Sequence, residues 1–444
     1  MRLKSLAVRG LALLIAAAIF LLTGEAALRV FYRDGGARTL GGPGNRPFDH
    51  LTTGRDRLRG RRDVGPRRAG VPRLMIVGDS ITYGQGVHDW RDTWPEVLVT
   101  TLEREGHPYE AAVFAEPGRD IPKLLQELQR WGPVVDPDVL IYQWYVNDIE
   151  VVQRRPNRVR TWQRWPTHPW LRRTSYLYYF LDNRASELLP QPDRTYADYI
   201  LQDFKPGTVE WSEFERYFHA FSITAASVAK RRILMLYPQV PYRDGYPLQP
   251  LNDLMKTLAA PHTLTIPPMA WLRAAGQLDS DEGAPWQLVM RSPAGASGLL
   301  IETQEYLVAA GSLPVQVVVS APDLADASAP IAALQVVDAA SGAVIVTHDV
   351  IADGGLRGFQ TITVPITVGA GEARRVRFRV TTTGRAAWSL ASLGLSVDYG
   401  YDVLDLTETL NRFNTHASLF DAHPNEAAHR VIAEEVHRLM LSPR

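Results

Sequence analysis

The 444-residue chain contains no cysteine. Disulfides and cysteine-ligated metal or redox chemistry are therefore excluded, while the compartment stays open, because many exported bacterial proteins do without disulfides. Net charge is missing too. Forty-eight Lys and Arg balance 48 Asp and Glu, so the whole molecule makes no electrostatic case for a nucleic-acid partner. No grouping of His, Asp and Glu has metal-ligand spacing, so neither a metal nor a cofactor is expected.

Long apolar runs are scarce, and the conspicuous one opens the chain, at Gly10 to Gly24 behind Arg2, Lys4 and Arg9. A basic start before an apolar core reads as an export signal or a signal anchor. The run is shorter than the ~20 residues an upright span prefers. No small-x-small cleavage site follows, so residues 1–33 are expected to be an uncleaved membrane-anchor helix. The rest of the chain is expected outside the cytoplasm, periplasmic or at the cell surface. Residues 34–71, rich in Arg and Gly with little apolar periodicity, read as a basic linker.

From residue 72 to 262, short apolar runs alternate with segments of helical spacing. The runs are Leu74–Val77, Tyr109–Phe114, Val139–Trp144 and Ile233–Tyr237. The helical segments are Trp94–Glu105, Ile121–Trp131, Trp211–Ala229 and Pro250–Ala260. That alternation predicts a parallel sheet with helices on both faces. Between 263 and 399 the texture becomes β-rich, with eight short runs and no helix-length period. The runs include Val315–Ser320, Ala333–Val337 and Arg375–Val380, and Asp338–Gly342 reads as a hairpin loop. This predicts an inserted β-sandwich. The α/β pattern resumes over 400–444, beginning with the run Tyr401–Leu406.

Chemistry concentrates where predicted strands end. Leu74–Val77 stops at Gly78-Asp79-Ser80, a small-residue turn that leaves a serine hydroxyl at the strand's carboxyl end. Ligands bind at that edge of an open α/β sheet. A serine there is a nucleophile only if a base reaches it. The far end of the chain offers Asp421-Ala-His423-Pro424-Asn425 at a helix entrance, an imidazole and a carboxylate together. His429, further into that helix, is the rival base. His107, His219 and His416 read as structural or exposed.

These blocks resemble the SGNH (GDSL-type) hydrolases. Gly78-Asp79-Ser80-Ile81 resembles the family's nucleophile block and Asp421-x-His423-Pro424 its last block. Between them, Ala115-Glu-Pro-Gly118 resembles the glycine block and Val146-Asn147-Asp148 the Gly-x-Asn-Asp block. Ala115 and Val146 stand where glycines are usual, and Asp421 is two residues before His423 rather than three. The resemblance implies a flavodoxin-like three-layer α/β fold carrying an ester hydrolase. Its catalytic residues would be Ser80, His423 and Asp421. Its oxyanion donors would be Ser80, Gly118 and Asn147, with Asp79 and Asp148 in supporting roles.

The sandwich resembles jelly-roll carbohydrate-binding modules in texture. Trp271, Trp286 and Trp388 are candidate sugar platforms, with core packing as the default. Trp162, Trp165 and Trp170 alternate with arginines and read as an irregular cap near the site. Together these features point to O-acyl, above all O-acetyl, esters of envelope or secreted carbohydrate. A lipid or lysophospholipid esterase, a glycan O-acetyltransferase and a non-catalytic glycan-binding protein stay open.

Overall fold

The computed structural model describes residues 2–31, 66–85, 87, 89–150, 168, 171, 175, 177–178, 181, 196–239, 245–273, 276–284, 287–309, 311–322, 328–351, 356–369, 373–411 and 423–442. Most of the expected linker (34–65), Trp162, Trp165, Trp170, Trp286, His416 and Asp421 lie outside the described residues.

In chain order, α1 (Arg2–Phe31) precedes β1 (Arg73–Gly78), α2 (Ser80–Tyr83), α3 (Trp94–Arg104), β2 (Glu110–Ala115), α4 (Ile121–Val135) and β3 (Val139–Trp144). Then come α5 (Tyr196–Asp203), α6 (Val209–Val228), β4 (Arg231–Leu236) and α7 (Gln249–Ala259). Twelve strands follow: β5 (His262–Ile266), β6 (Trp271–Arg273), β7 (Gln277–Ser280), β8 (Leu288–Ser292), β9 (Gly298–Thr303), β10 (Tyr306–Val308), β11 (Gly311–Ala321), β12 (Pro330–Asp338), β13 (Val344–Ile351), β14 (Leu356–Val368), β15 (Arg374–Thr382) and β16 (Trp388–Val397). The chain ends with β17 (Tyr401–Asp405), α8 (Thr407–Leu410) and α9 (Glu426–Leu441).

Five strands form one parallel sheet in the order β2-β1-β3-β4-β17. Numbered by sequence within the sheet this is 2-1-3-4-5, the flavodoxin-like winding. Its strands are apolar on both faces because helices cover both. Leu74 and Ile76 of β1 pack with α3 and α9, whereas Met75 and Val77 face α4 and α6, the pleat sending alternate side chains to opposite sides. Every residue of β1 and of β3 is buried.

After β4 and α7 the chain builds two antiparallel sheets. One runs β13-β12-β15-β9-β6 with β10 beside β15, the other β14-β11-β16-β8-β7 with β5 beside β16. Alternation sets the inner face: Val376, Phe378 and Val380 of β15 and Val315, Val317 and Val319 of β11 are buried in one cluster. Between them on β15, Arg377 and Arg379 point outward to Glu302 and Glu305. The Asp338 loop between β12 and β13 forms as its sequence predicts, its carboxylate accepting from the Ala340 and Ser341 N–H groups. The apolar cluster runs from α4 and α6 into both antiparallel sheets without a break. His219 of α6 joins them, bonding the Tyr399 hydroxyl at 2.9 Å and the Leu307 carbonyl at 2.6 Å.

Trp271 and Trp388 take their default reading as core residues, which removes them as candidate sugar platforms. They are 5% and 3% exposed, and the Trp388 indole N–H is spent on Thr382 Oγ1 at 3.1 Å. The N-terminal segment does form a helix, α1. Among the described residues, however, no helix is long and apolar enough to cross a membrane, so the expected anchor is unsupported. Only 15 uncharged residues separate Arg9 from Glu25, about 22 Å of helix. Glu25 is also held by protein, accepting from Ser175 Oγ at 2.8 Å and the Leu177 N–H at 2.9 Å.

Candidate active site

The carboxyl ends of β1, β2 and β3 converge on one edge of the parallel sheet. At β1, Gly78 is required by space: a Cβ there would lie 2.4 Å from Thr82 Oγ1 and 2.6 Å from Gln143 Oε1. Asp79 then caps the short helix α2, one carboxylate oxygen accepting the Ile81 N–H at 3.0 Å. Ser80 is the first residue of that helix and is 7% exposed.

The base comes from the other end of the chain. Asn425 caps α9 by accepting the Ala428 N–H at 2.9 Å, so Pro424 stands just before the cap. His423 is thereby held immediately ahead of the helix. Its Nε2 lies 3.0 Å from Ser80 Oγ. At that distance a serine hydroxyl donates to a neutral imidazole nitrogen, the contact through which a base takes a nucleophile's proton. Asp421 lies outside the described residues, so the carboxylate expected behind His423 is not placed.

Asn147 follows β3 in the 3-10 turn Val146–Ile149 and approaches the same turn, its side-chain N–H donating to Asp79 Oδ2 at 3.2 Å. The amide carries a second N–H. Asp79 thus takes one bond from its own turn and one from Asn147, while burial pushes its carboxyl above the usual carboxylate range. Asp148, the residue after Asn147, is buried. It accepts from the Tyr142 hydroxyl at 2.9 Å and the Tyr145 N–H at 3.3 Å, and burial raises its pKa strongly. Its contacts brace the end of β3.

Gly118 lies three residues past Ala115, which pairs with Gly78 in the sheet, so it belongs to the same edge. Its φ of +71° is left-handed, which favours glycine. The next residue, Arg119, is buried and bridges Glu116 at 3.0 Å and Glu127 of α4 at 2.9 Å, tying the loop to a helix.

The other histidines are elsewhere employed. His429 is fully buried, and its Nδ1 accepts the Trp94 N–H at 3.0 Å at the start of α3. That is a structural cap. His219 is buried between α6 and β10, and its pKa is pushed down to about 4 by burial.

The sequence reading missed Gln143 and Arg119. Gln143 Oε1 accepts from the Asp79 N–H at 3.2 Å, the Thr82 N–H at 3.3 Å and Thr82 Oγ1 at 2.9 Å. A polar residue inside the apolar strand Val-Leu-Ile-Tyr-Gln-Trp was the available signal. Among the described residues no group of three or more His, Cys, Asp and Glu is arranged to hold a metal ion.

No protein-family model matches the chain, and no curated protein sequence matches it. Solved structures with partial likeness include the carbohydrate-binding module CBM6cm-2 of Cellvibrio mixtus lichenase 5A, in complex with cellotriose. It shares 15% identity over 30% of this chain and 95% of its own, with a TM-score of 0.23. A family 35 carbohydrate-binding module from Clostridium thermocellum shares 14% over 30% and 98%, at 0.24. TesA shares 14% over 42% and 72%, at 0.27. At these scores the likenesses carry no argument, and the functional reading rests on the chain's own residues.

Proposed function

We propose that the chain is a serine esterase acting on O-acyl, principally O-acetyl, esters of carbohydrate. The observation that carries the chemistry is Ser80 Oγ at 3.0 Å from His423 Nε2. Ser80 attacks the ester carbonyl as His423 takes its proton, and the imidazolium then protonates the departing alcohol. Water, activated by the same imidazole, releases the acid from the acyl-enzyme. Asp421, two residues before His423, fixes the imidazole tautomer and stabilises its charge without accepting the proton.

The oxyanion is received by the Ser80 and Gly118 N–H groups and the free N–H of the Asn147 amide. Each such donor supplies about 3 kcal/mol of barrier lowering. The carbohydrate part of the reading is supported by the sandwich architecture, since the sequence blocks are common to the whole resembled family, lipases included. It gains nothing from Trp271 or Trp388, whose rings are inside.

The test is hydrolysis of 4-nitrophenyl esters across acyl lengths and of acetylated polysaccharide. Ser80→Ala and His423→Ala should each lower turnover by roughly 10⁴-fold or more while leaving the far-ultraviolet spectrum unchanged. Undiminished turnover by Ser80→Ala would remove the serine from the reaction. A preference for long acyl chains over acetate would move the substrate to lipid.

A further inference from the structure

The first turn of a helix carries N–H groups with no acceptor inside the helix. At the start of α2 nearly all of them are claimed. The Asp79 and Thr82 N–H groups converge on Gln143 Oε1 at 3.2 and 3.3 Å. The Ile81 N–H takes Asp79 Oδ1 at 3.0 Å, and the Tyr83 N–H reaches the Asp79 carbonyl at 2.9 Å. Among the described residues none accepts from the N–H of Ser80. We propose that Gln143 is a positioning residue for the proposed reaction. By pinning the amides on either side of Ser80, it leaves the serine's own N–H as the turn's one unclaimed donor and fixes where that donor points.

Three features of Gln143 support this. Three donors meet one atom, so that atom is the amide oxygen. The residue is fully buried, on the face of β3 shared with Val139 and Ile141, beneath α3 and α9. Its own Nε2 is buried without a hydrogen-bond partner among the described residues, and the Gln143 side chain also acts to lower the Asp79 pKa against the rise from burial. A buried glutamine, in a strand otherwise built of Val, Leu, Ile, Tyr and Trp, is explained by what its oxygen holds. The missing Cβ at Gly78 is the other half of the fit, since only glycine lets Gln143 Oε1 come so near.

The inference deepens the esterase reading and rests on it. The experiment compares Gln143→Met, which removes the acceptor at similar length, with Gln143→Glu, which keeps one. Competent serines are counted by titration with a fluorophosphonate, and kcat is expressed per titrated site. Gln143→Met should lose roughly 100-fold in kcat with KM little changed, the scale of an ångström-level misplacement. Gln143→Glu should recover to within roughly tenfold of the parent, since a carboxylate accepts the same bonds.

A parental kcat per titrated site in Gln143→Met would overturn the proposal, even if fewer sites titrate, because that would be a folding defect alone. Should Gln143→Met not fold, Gln143→Glu decides by itself: a 100-fold loss with full titration would overturn the inference. Failure of the underlying reading looks different. It would appear as parental turnover in Ser80→Ala, whatever Gln143 does.

Discussion

At His219 the hydrogen bonds settle the tautomer. The Leu307 carbonyl can only accept, so Nε2 carries the proton and Nδ1 receives the Tyr399 hydroxyl. Burial holds the folded pKa near 4 against an ordinary 6.5. The unfolded chain therefore binds a proton that the folded chain refuses as pH falls below 6.5. This residue's effect is absent above that pH, and stability drops by up to about 1.4 kcal/mol per unit on the way to pH 4. Glu215, one turn earlier on α6, works oppositely, because burial pushes its carboxyl up to about 8 and stability falls as pH rises through that range. Comparing thermal melts of the parent and His219→Gln from pH 7 to 4.5 isolates the histidine. The gap between them should narrow steadily towards acid, and a constant gap would refute the assignment.

Among elements, the loop after β2 invites a separate test, because Arg119 is the clamp between Glu116 and α4. Arg119→Met leaves the partly buried Glu127 carboxylate unpaired, which costs on the order of 3 kcal/mol. In the proposed mechanism it also loosens Gly118, so kcat should fall roughly tenfold more than KM changes. Equal kcat in a destabilised variant would make the clamp purely architectural.

Elements were legible where one rule dominated. The strands β1 and β3 are apolar throughout because both faces are covered, and α3 and α4 show the helical period of their buried stripe. The three-residue strands β6 and β10 were missed, since three residues are too few to display a period. The site was legible as short blocks at strand ends. Gln143 stood out only as a polar residue in an apolar strand, and its role was not legible because its partners lie 61 and 64 residues away in sequence. For Trp271 and Trp388 core packing was the default reading, with a surface role left open. Only the paired sheets decide that they face inward.

On the scale of the molecule, the sandwich and the parallel sheet share one apolar interior. Phe218 of α6 stacks near Tyr399 and Tyr401 at 5.8 and 6.1 Å, and His219 reaches Leu307 across the same junction. Removing residues 263–399 would open that interior to water. The whole chain should unfold in one calorimetric transition whose van't Hoff and calorimetric enthalpies agree, as a cooperative unit does. Two resolved transitions would mean that the sandwich is thermodynamically separate.

The separation of 343 positions from Ser80 to His423 also sets a clock. A ribosome adding roughly 5–20 residues per second needs about 20–70 s to travel from the serine codon to the histidine codon. Throughout that interval the nascent chain holds a serine without its imidazole. His423 therefore completes the pair, and a message cut short anywhere before its codon yields a chain that cannot assemble it.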